Sequence, residues 1–162
     1  MILSGFVFFG CTNPFAPKLS SGENNNSGLI SDQKNIEGVF QNLQYAYTFK
    51  DTLIYGGLLA NDFTFTYHDY DQGFDVSWGR DEEMMTTYGL FSNTQKLDLI
   101  WNNIILSTQD SLSANIIRSF NLRITFNPTD VITVDGKVNL TLKKESSSQR
   151  WLIDRWIDES NY

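Results

Sequence analysis

The chain has 162 residues, which suits one domain with a short extension, and its 41% hydrophobic and 14% aromatic residues suffice for a packed core. Twelve lysine and arginine residues stand against nineteen aspartate and glutamate residues, and the resulting net charge of −7 argues against a nucleic-acid partner. A single cysteine, Cys11, excludes both an intramolecular disulfide and a zinc site built from several cysteines.

The first ten residues are mostly apolar and end in Gly10, directly before Cys11. A short apolar stretch followed by a small residue is typical of a secretory signal and its cleavage site. With a cysteine at the first mature position, the segment resembles a bacterial lipoprotein signal, although Phe8 and Phe9 replace the leucine and the small residue that are usual there. The resemblance implies a signal sequence over residues 1–10 and lipidation of Cys11. The alternative is a buried N-terminal strand with an ordinary core cysteine.

Residues 11–31 are rich in asparagine, serine, glycine and proline, a composition that buries too little apolar surface to fold. We therefore predict a flexible tether between the lipidated Cys11 and a domain over residues 32–162. Thr12 stands where an aspartate would retain a lipoprotein in the inner membrane, so the resemblance implies the outer membrane. The predicted location is the bacterial cell envelope, with the membrane as a partner through the lipid anchor.

Three helices are predicted in the first half of the domain. The first is capped by Ser31 and Asp32 and ends near Lys50. Its apolar residues repeat at helical spacing and are Ile36, Val39, Phe40, Leu43 and Tyr47. A second, short helix is expected over residues 52–60. A third is expected over residues 80–91, with acidic residues in its first turn, where the helix dipole favours negative charge. Its predicted apolar stripe consists of Met84, Tyr88 and Phe91.

The first predicted strand is "FTFTYHDY", in which apolar and polar residues alternate. Alternation places Phe63, Phe65 and Tyr67 on one face and His68 on the other. Residues 69–79, which contain two glycines, are expected to form a loop.

Later strands are predicted from Leu97 onwards and over residues 116–126, with "NPTD" as a turn after them. Asp135-Gly136 predicts a hairpin turn between two apolar strands. In the last strand, alternation predicts two faces, one with Trp151, Ile153 and Arg155 and one with Leu152, Asp154 and Trp156.

Helices followed by a run of antiparallel strands indicate an α+β fold. The stretches "LLANDFTF", "WGRDEEM" and "RWLIDRWIDE", in this order, resemble the cone-shaped domain shared by nuclear transport factor 2, ketosteroid isomerase and SnoaL-like proteins. The resemblance covers about residues 32–159. It implies a curved antiparallel sheet packed on about three helices, a pocket between the concave face and the helices, and homodimers through the sheet. It implies no particular reaction.

The isomerase branch of that superfamily uses an aspartate base at the end of the first strand, together with a tyrosine and a second carboxylic acid as hydrogen-bond donors. The stretch "NDFTFTY" puts Tyr67 at the position of the base. No acid occurs in the strand over residues 116–126, and a phenol is poorly tuned as a base near neutral pH. The isomerase mechanism is therefore not carried over.

Six residues are predicted to face the pocket: Tyr47, Phe65, Tyr67, Trp101, Arg118 and Arg155. Both arginines interrupt apolar faces, and because a buried arginine is costly unless paired, each predicts either an anionic ligand or a structural salt bridge. The aspartates at 69, 71 and 75 are interpreted as a solvated acidic loop rather than a calcium site. We predict no metal and no cofactor.

The predicted function is that of a lipid-anchored envelope protein whose domain binds a small apolar or anionic ligand, or assembles with a partner, without catalysis. One alternative is a SnoaL-like enzyme of isomerase, dehydratase or hydrolase type that uses Tyr67 and a tyrosine of the first helix. Another is a purely structural dimer. Polar groups with shifted pKa values in the pocket would favour an enzyme, an apolar pocket a binding role, and a filled cone the dimer.

Overall fold

The computed structural model describes residues 28–146 and 149–159, so the predicted signal sequence and Cys11 lie outside the described residues. The domain is α+β, as predicted. Its helices are α1 (Ile36–Phe49), α2 (Thr52–Leu58) and α3 (Arg80–Asn93). Its strands are β1 (Leu59–Asp69), β2 (Phe74–Gly79), β3 (Lys96–Gln109), β4 (Ser113–Asn127), β5 (Asp130–Lys143) and β6 (Leu152–Asp158). No helix in the described ranges is both long and apolar enough to span a bilayer.

Helix α1 starts later than predicted. Its cap is Asn35, whose side-chain oxygen accepts a hydrogen bond from the Gly38 amide at 2.7 Å. Asp32 instead accepts from the Lys34 amide, and Gln33 has a positive φ of 60°, so the chain is not helical there. Asp51 caps α2, as predicted, by accepting from the amides of residues 53 and 54.

All six strands form one curved sheet in the order β2-β1-β6-β5-β4-β3. Neighbouring strands are antiparallel except β1 and β6, which are parallel. Strand β2 lies in the segment that was predicted to be a loop. The turn before it is closed by Gly73, whose φ is 71° and whose amide donates to the Asp69 carbonyl at 2.7 Å. Past that turn, β2 pairs with β1 along its whole length.

The predicted hairpin turn at Asp135-Gly136 is wrong. Strand β5 runs through both residues, because β4 supplies a partner for each: Asn121 lies opposite Asp135, and Phe120 lies opposite Gly136. The β4–β5 hairpin turns instead at residues 127–130, the "NPTD" segment that predicted a turn.

The predicted alternation in β6 is wrong beyond Ile153. The register between β5 and β6 shifts there, so that Ile153 lies opposite Leu142 while Arg155 lies opposite Thr141. The extra residue forms a β-bulge, which reverses the facing of the residues after it. Trp156 therefore joins the buried face of Trp151 and Ile153, and Arg155 is exposed.

Between the helices and the concave face lies the hydrophobic core. Its largest fully buried side chains include Trp151, Tyr55, Phe40, Phe63, Leu43, Leu140, Leu142 and Ile153. They come from α1, α2, the first residues of β1 and β6 and the last residues of β5, except Trp151, which directly precedes β6. Since β5 runs antiparallel to β6, these segments meet at one end of the sheet.

Candidate functional site

At the other end of the sheet, the concave face and the helices enclose a cavity of about 420 Å³. Phe65 and Tyr67 of β1 line it and follow the core residue Phe63, and Trp156 and Asp158 of β6 line it and follow the core residue Ile153. In β5 the cavity residues precede the core residues. The helices therefore pack directly on the sheet at one end, whereas the cavity separates the helices from the sheet at the other end.

Aromatic rings form two walls of the cavity. Phe65 stacks on Trp78 with ring centroids 4.6 Å apart, and Tyr67 lies 5.6 Å from the same indole. On the opposite wall, Trp101 contacts Phe120 edge-on at 6.0 Å. Such ring pairs stabilise one another beyond the area that they bury. Aliphatic side chains complete the lining: Leu90, Leu99, Leu122, Ile124, Val134 and Val138.

Glu83, in the first turn of α3, is a buried carboxylate at this cavity, with 5% of its surface exposed. Its Oε1 accepts hydrogen bonds from the Tyr55 hydroxyl at 2.5 Å and the Thr87 hydroxyl at 3.0 Å. Its Oε2 accepts from the Trp78 indole N–H at 2.7 Å. Three donors therefore hold Glu83 as an acceptor, and they fix its position between the helices and the β1–β2 wall.

Tyr55 is the most deeply buried of these donors. Burial raises the pKa of its hydroxyl well above the ordinary value, and the neighbouring Tyr47 and Glu83 raise that pKa further. The hydroxyl therefore stays protonated and continues to donate to Glu83 over the whole neutral pH range.

Two further polar groups at the cavity come from β6. Asp158 lines the cavity and lies opposite Tyr67 in the parallel β1–β6 register. Trp156 also lines it, and its indole N–H is buried without a hydrogen-bond partner among the described residues. The bulge in β6 brings both side chains to the concave face.

Four of the six residues predicted to face the pocket line this cavity: Tyr47, Phe65, Tyr67 and Trp101. Arg118 does not, because its guanidinium binds Glu37 at 2.8 Å and lies 4.7 Å from the Phe40 ring centroid. This is the salt-bridge alternative of the prediction. Arg155 is exposed for the reason given above.

His68 lies on the outer face of β1, where its Nδ1 is 2.7 Å from a carboxylate oxygen of Asp75 across the hairpin. Asp69 accepts hydrogen bonds from the amides of Asp71 and Gln72 in the same turn. Among the residues that the structure describes, no three histidine, cysteine, aspartate or glutamate side chains are placed to hold a metal ion.

Sequence reasoning missed Glu83 as a site residue. The predicted stripe of α3 ran through Tyr88, which is 64% exposed, whereas the buried face carries Glu83, Thr87 and Phe91. Their spacing of four and four is helical, so a stripe starting at Glu83 was available in the sequence. Two of its members are polar, and for that reason hydrophobicity alone did not select it.

The chain is similar to solved structures of one fold class. They include a scytalone dehydratase-like protein from Novosphingobium aromaticivorans, with a TM-score of 0.67 and 16% identity over 78% of this chain and 82% of that one. The fold is that of NTF2-like proteins. A second NTF2-like structure, of unknown function in nutrient uptake from Rhodospirillum rubrum, has a TM-score of 0.62 and 12% identity over 79% of this chain and 99% of that one.

A third structure is a protein of unknown function with a cystatin-like fold from Nostoc punctiforme, with a TM-score of 0.59 and 13% identity over 78% of this chain and 88% of that one. At such identities the likeness shows the NTF2-like fold alone. The sequence matched neither a protein-family model nor a curated protein.

Proposed function

We propose that the NTF2-like domain is a non-catalytic binding module whose cavity takes a small ligand with mostly apolar surface. The observation that carries the proposal is the lining of the 420 Å³ cavity, in which aromatic and aliphatic side chains outnumber polar ones by thirteen to four. Ligand sites in proteins are typically concave and apolar, with a few polar groups that fix orientation. A cavity of this size accommodates a ligand of one or two rings.

The same lining weighs against a proton-transfer enzyme, the alternative function. A general base needs an available lone pair near a substrate proton. Three protein donors leave Glu83 little capacity to accept a substrate proton, Asp158 already interacts with another group of the chain, and His68 is on the far side of the sheet. Tyr55, whose pKa is raised, does not line the cavity. The fold itself is neutral on this point, since it hosts many functions.

Titration with 2-naphthol, a neutral two-ring probe, tests the binding proposal. We expect saturable binding, measured by probe fluorescence and calorimetry, and we expect Leu122→Trp to abolish it by filling the cavity. Tyr88→Trp adds an indole to the exposed face of α3 and should leave binding unchanged. If 2-naphthol shows no saturable binding, or if Leu122→Trp does not block its binding, the cavity is not a site for an apolar ligand.

We further propose that the mature protein is anchored to a bacterial envelope by a lipid on Cys11, and that the polar segment after Cys11 connects this anchor to the folded domain. The support is the order of the N-terminal sequence: an apolar stretch, a small residue, a cysteine and a polar segment. Cys11→Ser should leave the folded domain intact and move it from the membrane fraction to the soluble fraction. Equal membrane retention of wild type and variant would contradict the anchor.

Self-association through the sheet is a third proposal. Strand β3 is at the edge of the sheet, and Ile100 and Ile105 are each 55% exposed on it. Exposed apolar groups of this size along an edge strand favour a protein partner. Light scattering should show a dimer that Ile105→Lys disrupts, and a monomeric wild type at micromolar concentration would contradict it.

A further inference from the structure

The three tryptophans that line the cavity differ in what their indole N–H groups bind. Trp78 donates to Glu83 at 2.7 Å, and Trp101 donates to the backbone carbonyl of Phe40 at 2.9 Å. The N–H of Trp156 is also buried, but it has no hydrogen-bond partner among the described residues. Of the tryptophans at the cavity in the described part of the chain, Trp156 alone therefore has an unused donor.

The surroundings of Trp156 explain why this donor is unpaired. Its neighbours in the sheet are Phe65 of β1 and Leu140 of β5, and neither side chain carries an acceptor. The two carboxylates at the cavity are engaged elsewhere, because Glu83 accepts from three protein donors and Asp158 interacts with another group of the chain. A buried N–H without a partner is costly and uncommon in native proteins, so this one requires an explanation.

We propose that the ligand of the cavity carries a neutral hydrogen-bond acceptor, such as a carbonyl or ether oxygen, on an apolar body, and that Trp156 donates to this acceptor. The apolar body lies against the rings and aliphatic side chains that form most of the lining. In the structure the Trp156 N–H is covered, and a small rotation of the indole toward the unfilled cavity would expose it to the acceptor. This inference rests on the proposed binding function and names the class of ligand.

The acceptor is neutral because the cavity offers little to a charged group. A carboxylate or phosphate loses far more hydration on entering a mostly apolar space than a carbonyl oxygen does. The Arg118 guanidinium lies 5.8 Å from the Trp101 ring centroid, but it is already paired with Glu37. Arg155 is exposed and does not line the cavity. A neutral acceptor therefore replaces the anionic ligand that the two arginines had suggested.

Acetophenone and α-methylstyrene test the inference, because they have nearly the same shape and differ in a carbonyl oxygen in place of a methylene group. Calorimetry or ligand-observed NMR measures the affinity of each probe for the wild type and for Trp156→Phe. The hydrocarbon is the more hydrophobic probe, so each affinity is compared between the two proteins. We expect Trp156→Phe to weaken acetophenone binding by about three- to tenfold more than α-methylstyrene binding, since only the ketone loses a hydrogen bond.

Trp101→Phe is the matched control, because it trims an indole to the same phenyl ring on the opposite wall of the cavity. The Trp101 N–H already donates within the protein, so this substitution should change both affinities by the same factor. Benzoate, a charged acceptor of similar size, should bind the wild type more weakly than acetophenone does.

NMR of the wild type observes the hydrogen bond without any substitution. Once the indole N–H signal of Trp156 is assigned, acetophenone should move its proton resonance downfield, as hydrogen bonding does. The hydrocarbon places a similar ring in the cavity and should not cause this shift. The measurement decides the inference even if Trp156→Phe does not fold.

The outcomes separate the two proposals. If the probes bind but Trp156→Phe weakens both by the same factor, if acetophenone does not move the Trp156 signal downfield, or if benzoate binds more tightly than acetophenone, the neutral acceptor is overturned and the binding function stands. If acetophenone, α-methylstyrene and 2-naphthol all fail to bind, both proposals are overturned.

Discussion

The two ends of the sheet are built from the same six strands, yet one is filled and the other is open. At the filled end, Leu140, Leu142 and Ile153 pack beneath Trp151 and the first two helices, and all are buried. At the open end, rings such as Phe65 and Trp78 lie against one another along the walls and leave about 420 Å³ between them. Ring-to-ring contacts stabilise a wall without closing the space that it faces.

This difference assigns separate tasks to the two ends. Stability depends mostly on the filled end, because apolar surface removed from water is the dominant favourable contribution to folding. In the proposed function, ligand recognition belongs to the open end, where the side chains that line the cavity are not packed against other side chains on the side that faces it. Glu83 connects the two ends, since it accepts from core Tyr55 and from Trp78 on the cavity wall.

The largest expected effect is at the filled end. Trp151→Ala should lower the free energy of unfolding by roughly 3–5 kcal/mol, as large core truncations do. Trp151 is fully buried, its amide donates to the Gln33 carbonyl at 2.9 Å, and its ring supports the Lys144 ammonium. Urea denaturation measures the change.

At the filled end, Ile153→Ala truncates a fully buried side chain and should cost about 3 kcal/mol. At the open end, Ile124→Ala removes the same atoms from a half-buried side chain. This second substitution should lower the free energy of unfolding by only about 1 kcal/mol, because the Ile124 side chain borders the cavity and contacts fewer neighbouring atoms. If the two substitutions cost the same, stability is not concentrated at the filled end.

A smaller effect is expected at the connection between the two ends. Tyr55→Phe removes one donor to Glu83 and should destabilise the domain by about 1–2 kcal/mol near neutral pH. The folded state raises the pKa of Tyr55, so the stability linked to this group is complete below the unfolded-state pKa near 10 and is lost as pH rises above it.

The wild type should therefore lose stability between about pH 10 and 11 more steeply than Tyr55→Phe, and urea midpoints at several pH values measure this. Tyr88→Phe, at an exposed tyrosine on α3, is the control and should follow the wild-type profile. Parallel profiles for wild type and Tyr55→Phe would mean that Tyr55 titrates normally in the folded state.

The filled end was easier to predict from the sequence than the open end. Apolar periodicity predicted α1, β1 and the burial of Trp151 and Ile153, because burial there follows hydrophobicity. Facing within β1 also follows from alternation, so Tyr67 reaches the cavity while His68 stays outside. Both are local patterns with a fixed period.

The errors come from features that need a partner strand or a partner side chain. The bulge in β6, which turns Arg155 outward, depends on how β5 and β6 fit together. Asp135-Gly136 has the composition of a turn, and only pairing with β4 keeps it extended. Glu83 is buried because Tyr55 and Trp78 donate to it, and neither donor is near it on the same helix.

Gly136→Val tests the open end, because it reduces the volume of the cavity without altering a core residue. Gly136 lies opposite Phe120 in the paired part of β5, between the lining residues Val134 and Val138. Gly136→Val should therefore suit the strand and change stability by less than about 1 kcal/mol. Its methyl groups should enter the cavity and weaken 2-naphthol binding at least several-fold, as titration would measure.

Lys137→Val is the matched control, since it places the same side chain one residue away on the outer face of β5. It should leave 2-naphthol affinity unchanged. If both variants weaken binding equally, the probe does not occupy the space above Gly136, and the open end is not the binding end.

The smallest expected effect concerns the two faces of β1 itself. Tyr67 lines the cavity near the end of the strand, and its ring packs 5.6 Å from Trp78, so Tyr67→Phe keeps the wall and removes only a hydroxyl. Folding should be unchanged, and the affinity for 2-naphthol should fall by about two- to fivefold, which corresponds to the loss of one modest hydrogen bond. His68→Ala alters the next residue on the outer face, where its partner Asp75 is exposed, and should change neither property measurably. Calorimetry on both variants makes the comparison, and a larger loss of affinity from His68→Ala than from Tyr67→Phe would place ligand recognition on the outer face of the sheet.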